Sequence, residues 1–137
     1  VRIVYASDSI ALAALERLVH TRSVKGLEGL WVYSFTFEEE ESTFLPNAAL
    51  PLDWNRKPVP PDWHAQPLKA TQLIGNNWSE RRASLVLRVP SAIIPSQFSY
   101  LINPLHPTFD AFRIGAPQRF HFDERIATLV AVGERGS

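Results

Sequence analysis

Arg2-Ile3-Val4-Tyr5-Ala6-Ser7-Asp8-Ser9-Ile10-Ala11-Leu12-Ala13-Ala14-Leu15-Glu16-Arg17-Leu18-Val19-His20 carries two hydrophobic periodicities in succession. Residues 2–6 read as a short strand, rich in β-branched and aromatic side chains. Residues 8–20 read as a helix so apolar that it should pack in the interior. Ser7 or Asp8 is placed to cap it by accepting from the free N–H groups of the first turn. Glu16 follows Leu12 by four positions and precedes Val19 by three, so on a helix it stands beside the apolar stripe and not opposite it. Removing a carboxylate from water costs several kcal/mol unless the site compensates it. Glu16 is therefore either paired for structural reasons or held for chemistry.

The 137 residues suit one domain. Fourteen acidic and fourteen basic residues give a formal net charge of zero, which argues against direct nucleic-acid binding over a dominant basic surface. The chain has no cysteine, which excludes disulfides, thiol nucleophiles and thiolate metal sites and fits a cytoplasmic location. No apolar run approaches the roughly 20 residues of a membrane span, and no basic region precedes an apolar core as in a signal peptide. Val1 already lies inside the apparent first strand, so an upstream piece of the native protein is expected to be missing.

Leu30 to Phe37 reads as a second strand, with Trp31, Tyr33, Phe35 and Phe37 on one face. Glu38 to Glu41 read as a solvated edge or turn. Residues 45–67 hold six of the eleven prolines, a density that excludes a long helix or a central strand and predicts an ordered crossing loop anchored by Trp54 and Trp63. A helix follows from Pro67 or Leu68, broken at Gly75 or continuing through Trp78 and Glu80. Ala83 to Val89 reads as the third strand, with Leu85, Leu87 and Val89 sharing a face and Pro90 stopping it. Ser91 to Ser99 reads as irregular, Pro117 to Phe122 as a last strand, and Ile126 to Val132 as one further element. Strands mixed with two helices, without regular alternation, indicate an α+β fold.

Phosphate-cradling loops, glycine-rich dinucleotide turns, His-Glu-x-x-His and nucleophile elbows are all absent. His20, His64, His106 and His121 lack metal-ligand spacing, so no metal is expected. Glu16 and His20 stand four apart, a spacing that also suits a simple intrahelical pair. Tyr5, in the strand that delivers the helix, reads as packing or as a site residue. Ser84 is a small polar residue that could bond a neighbouring backbone group. Trp78 reads as core or as a pocket wall. Asn103, before Pro104, reads as a turn cap or a site residue.

Taken in order, Val4-Tyr5-Ala6-Ser7-Asp8-Ser9 with Ala11 to Glu16, Ile74-Gly75-Asn76-Asn77-Trp78, Ala83 to Ala92, and Leu101-Ile102-Asn103-Pro104 resemble the RES-domain toxins over most of residues 2–125. Each motif is weak alone; four in sequence are specific. The family is named for an arginine, a glutamate and a serine. Glu16 matches the glutamate, Ser84 the serine, and Tyr5 a tyrosine also implicated in the active site. The family arginine belongs upstream of the first strand and has no counterpart here, since Arg2 stands too close to Tyr5.

The resemblance implies an ADP-ribosyltransferase-like fold and an enzyme that consumes NAD by splitting the nicotinamide–ribose bond. Water, phosphate or a protein side chain would be the acceptor. Glu16, Tyr5 and Ser84 would be the site residues, with Tyr5 and Ser84 touching NAD. It also implies a toxin–antitoxin pair, whose antitoxin is a helix-turn-helix (Xre-like) protein that occludes the active site. Transfer of ADP-ribose to a protein target, and an inactive binding module of the same fold, stand as alternatives.

Overall fold

In a computed structural model, residues 2–21, 24–50, 70–126 and 128–129 are described. The elements are β1 (Val4–Ser7), α1 (Ile10–Thr21), β2 (Trp31–Val32), β3 (Ser42–Phe44), α2 (Ala70–Arg81), β4 (Val86–Pro90), β5 (Phe98–Ile102) and β6 (Gln118–Arg119). Among the described residues, helices with mixed-direction strands make this an α+β protein, as the sequence predicts. The prolines from Pro51 to Pro67, with Trp54 and Trp63, lie outside the described residues.

The chain divides into two compact units, Val1–Asp8 with Phe37–Asp110, and Ser9–Thr36 with Ala111–Ser137. The first unit is built on a four-stranded sheet in the order β1-β5-β4-β3. β5 runs antiparallel to both β1 and β4, while β3 runs parallel to β4. Its centre is β4 and β5, where Val86, Leu87, Leu101 and Ile102 are all buried. Consecutive buried residues mean that both sheet faces are covered there, since neighbouring side chains in a strand point to opposite faces.

On one face, Trp78 of α2 packs with Leu87 and Leu101, flanked by Ile3, Leu45 and Val89. Among residues 73–81 of α2, Gly75, Trp78 and Ser79 are buried, at the i, i+3, i+4 spacing of one helix face. The helix therefore runs unbroken through Gly75. An added methyl at that glycine would make only ordinary contact with Leu101 and Ile3, at 3.8 and 3.9 Å, so alanine would fit there.

Arg82 ends α2 in the left-handed region, at φ 51°. Its N–H donates to Ser79 O and that of Ala83 to Trp78 O, at 3.1 and 3.3 Å. These are the two bonds of a Schellman cap, a position that favours glycine because it has no Cβ to clash. Arg82→Gly is therefore expected to stabilise the protein by about 0.5–1 kcal/mol. A urea midpoint that falls would show that the arginine side chain makes a compensating contact.

The second unit contains α1 and the two-stranded sheet β2–β6, Trp31 pairing with Arg119 and Val32 with Gln118. The expected strand over residues 30–37 is cut short: beyond Val32 only Phe35 makes a bridge, to Ile114. The expected strand over 117–122 shrinks likewise to Gln118–Arg119. Alternating aromatics define two faces, but a strand also needs a partner's N–H and C=O groups along its length. Ser9 caps α1, its Oγ accepting from Leu12 N at 3.1 Å, in place of the expected Ser7 or Asp8.

Glu38–Glu41 form the expected exposed turn, closed by a capping box in which Glu41 accepts from Glu38 N at 2.8 Å. Residues 124–126 and 128–129 are helical, and the rest of the element expected at 126–132 lies outside the described residues.

Candidate active site

Tyr5 lies in β1, paired with Leu101 of β5, which in turn pairs with Leu87 of β4. It thus points to the sheet face that carries α2. As an edge-strand residue it stays 72 % exposed. The packing reading of this tyrosine fails, because burial of the ring is what packing would require.

Ser84 lies two residues before β4, outside the strand in which the sequence places it. Its Oγ accepts from Trp78 Nε1 and donates to Val86 O, both at 2.8 Å. A hydroxyl has one proton and two lone pairs. Both bonds together leave Ser84 one lone pair, able to accept from a ligand but with no proton to give. The bond from Trp78 ties the end of α2 to the approach to β4, so the tryptophan both fills the core and orients this serine. Tyr5 stands in β1 and Ser84 just before β4, strands that have β5 between them.

Glu16 stands on α1, one turn after the buried Leu12, and is half-buried. It belongs to the second unit, Tyr5 and Ser84 to the first. Only Asp8 and Ser9 separate the strand bearing Tyr5 from the helix bearing Glu16.

Asn103 is fully buried and takes the turn-cap role. Its Nδ2 donates to Ser79 O at 2.9 Å, and its Oδ1 accepts from Leu105 N at 3.0 Å. The amide so joins the end of β5 to the end of α2. Ser91, buried at the end of β4, accepts from Ile93 N and Ile94 N and shapes the turn toward β5. In His106, Nδ1 accepts from Thr108 N at 3.2 Å, which leaves the proton of a neutral ring on Nε2. Among the described residues no three acidic or histidine side chains gather as a metal site, and no helix is long and apolar enough to cross a membrane.

The sheet face opposite Tyr5 holds a cluster that the sequence does not announce. Phe44, Arg88, Tyr100 and Ala6 form one row across the four strands. The Arg88 guanidinium carbon sits 3.8 Å from the Phe98 ring centroid and 5.2 Å from that of Phe44, a cation held between aromatics. Asp8 accepts from Tyr100 Oη at 2.5 Å and from Phe98 N at 3.2 Å. Arg88 shares the row with Tyr100, not with Tyr5.

Burial, then the hydrogen bond and charge of Asp8, push the Tyr100 phenol up to about 12, against a smaller opposing pull from Arg88. The folded state thus favours the neutral phenol, whereas an unfolded tyrosine ionises near 10. This stabilisation is fully present below pH ~10 and is lost as pH rises through about 12. An alkaline absorbance titration is expected to show a late phenolate step that is absent in Tyr100→Phe. A late step that persists in that variant would contradict the assignment.

Comparison with known proteins places the chain in a family. The model of the RES domain matches residues 1–123. The chain belongs to the RES-domain family. This RES domain is 33 % identical over 125 residues to "Toxin Res" of Yersinia enterocolitica, covering 90 % of this chain and 76 % of that protein. It is 32 % identical over 128 residues to "Prs ADP-ribosylating toxin" of a Sphingobium species, covering 92 % and 75 %. "Toxin Res" of Photorhabdus laumondii is 34 % identical over 125 residues, covering 90 % and 74 %. The family match spans β1, α1, α2, β4 and β5.

Proposed function

We propose that this RES domain is the catalytic part of a toxin that cleaves NAD at the nicotinamide–ribose bond, lowering cellular NAD. The observation that carries the reading is the 32 % identity, over 92 % of the chain, to a protein named as an ADP-ribosylating toxin. ADP-ribosylation with NAD breaks that same bond. The structure adds support at Tyr5, a large aromatic ring left open to solvent on the edge strand β1. The domain's fold is proposed to be of the ADP-ribosyltransferase type.

The chemistry resembles glycoside cleavage through an oxocarbenium-like transition state. The bond from C1′ of the ribose to the nicotinamide nitrogen breaks. The departing ring takes the electron pair, which neutralises its pyridinium charge, and positive charge develops on the ribose. Glu16 stabilises that charge and accepts a hydrogen bond from a ribose hydroxyl, an effect that is strong where water is excluded. Tyr5 stacks on nicotinamide or binds through its hydroxyl. Ser84 offers its remaining lone pair to a donor on the nicotinamide side and forms no covalent intermediate, since its proton is held by Val86 O. The acceptor, water in the simplest case, then forms the new bond at C1′ and releases its proton to the solvent. An arginine would grip the pyrophosphate through a bidentate contact. No metal takes part in this scheme. A helix-turn-helix antitoxin that covers the site is the proposed partner, and the cytoplasm, where NAD is abundant, the proposed location.

Induced expression of the full-length protein is expected to deplete NAD in cells and halt growth, and Glu16→Gln is expected to do neither. Growth arrest with NAD unchanged would sink the reading. The name of the Sphingobium relative favours a second reading, transfer of ADP-ribose to a protein. Mass spectrometry of cell proteins separates the two: modified side chains mark transfer, and free ADP-ribose marks hydrolysis.

A further inference from the structure

Trp78, Ser84 and Val86 all belong to the first unit, so the bonds among them are set within one compact body. Trp78 is 7 % exposed and Val86 is fully buried, while Ser84 is only half-buried. An indole N–H only donates, and a carbonyl oxygen only accepts. The two bonds of Ser84, each 2.8 Å, therefore fix the rotation of its hydroxyl. The indole proton occupies one lone pair, and the hydroxyl proton lies on Val86 O. Turning that proton toward a ligand would swing the lone pair off the indole as well. The N–H of the buried Trp78 would then lose its acceptor, a costly outcome for a buried donor. A serine hydroxyl ordinarily donates or accepts as its surroundings require. This one is held as an acceptor.

We propose that Ser84 selects a carboxamide over a carboxylate on the pyridine ring, so that the site takes NAD and rejects its deamidated form, which carries nicotinate in place of nicotinamide. The selection rests on the substrate contact given to Ser84 above; the acceptor-only state of the hydroxyl does not. The two ring substituents have nearly the same shape and differ in hydrogen bonding and charge. The amide –NH2 donates into the lone pair that Ser84 has left. The carboxylate, ionised at neutral pH, offers lone pairs alone, and these meet the lone pair of Ser84 with no proton between them. Sites that bond a substrate N–H or O–H discriminate strongly against an analogue that lacks it. Trp78 is the positioning residue in this scheme: it acts on the ligand only through the rotation of the serine hydroxyl. Packing between α2 and the sheet needs the ring of Trp78 but not this bond.

The test measures binding of free nicotinamide and free nicotinate to the full-length protein by ligand-observed NMR titration. Binding needs no turnover and keeps leaving-group strength out of the comparison. Nicotinate is expected to bind the wild type about 100-fold more weakly than nicotinamide. In Ser84→Ala, nicotinamide is expected to weaken about tenfold and nicotinate to change by less than about threefold, which narrows the gap to about tenfold. Trp78→Phe lets the hydroxyl turn and donate, and is expected to tighten nicotinate about threefold, whereas a merely loosened site binds both ligands more weakly. Equal affinities in the wild type, no binding of either ligand, or a gap unchanged in Ser84→Ala would overturn the selection; the last result marks a general repulsion of the carboxylate by acidic side chains. Nicotinate that weakens in Trp78→Phe would overturn the positioning role of the indole. If the gap narrows as expected but the wild-type protein leaves NAD intact, the selection stands and the proposed reaction falls. If NAD is cleaved and the gap does not narrow, the reaction stands and the selection falls.

Discussion

Glu16→Gln is expected to slow nicotinamide release by about 100- to 1,000-fold, with KM within about threefold of wild type. The substitution keeps shape and hydrogen-bonding capacity and removes only the charge. Ground-state NAD carries its positive charge on the nicotinamide ring; in the transition state that charge moves onto the ribose. A carboxylate beside C1′ therefore helps the transition state more than the bound substrate, and its loss appears in kcat. Groups aimed at developing charge contribute roughly 2.7–4 kcal/mol each, which sets the expected factor. The structural alternative predicts something different. An intrahelical Glu16–His20 pair at i, i+4 contributes only a few tenths of a kcal/mol. In that case Glu16→Gln would shift the urea midpoint slightly and leave the rate untouched. Steady-state kinetics with the circular dichroism of both proteins decides between them.

Trp78→Ala is expected to be the most damaging core substitution, costing about 3–5 kcal/mol. That is a large share of the roughly 5–15 kcal/mol available to a domain. Trp78 packs with Leu87 and Leu101 between α2 and the sheet, and it donates to Ser84. Alanine opens a cavity and also leaves Ser84 without the bond that orients it. Trp78→Phe separates the two effects. It fills most of the volume and removes only the donor, and is expected to cost about 1–2 kcal/mol less than alanine. Equilibrium urea unfolding measures both, with a common slope required for a direct comparison. A cost near zero for Trp78→Ala would show that the ring is not the wedge between α2 and β4–β5.

The opening strand and helix were legible as elements because their periodicities are local: alternation over a few residues, then an apolar stripe at helical spacing. The expected burial of the helix does not follow, since Leu12 is its buried residue while Ile10, Leu15 and Val19 are exposed. The exposed glutamate turn and the turn-capping Asn103 were legible for the same reason. β5, the centre of the sheet, was hidden. Phe98-Ser99-Tyr100-Leu101-Ile102 is flanked by proline, serine and glutamine on one side and Asn103-Pro104 on the other, so its surroundings read as loop. β3 was hidden because three residues carry too little pattern. Residues 30–37 erred the other way, since alternating side chains do not supply a partner strand.

For the candidate site, residue types came through and bonds did not. Ser84 was visible as a small polar residue, but its bond to Trp78 crosses the end of a helix. Asp8 looked like a cap because it precedes a helix; its real partners lie 90 and 92 positions away. Nothing local encodes such a bond. It arises only once β1 and β5 pair, and that pairing places Asp8 beyond the end of β1, next to Phe98.

Purified full-length protein incubated with NAD, and assayed for free nicotinamide, tests the central claim most directly. The account predicts nicotinamide released in amounts that match the NAD lost, at a rate that collapses in Glu16→Gln. NAD left intact at high enzyme concentration, or equal release by wild type and Glu16→Gln, would contradict it.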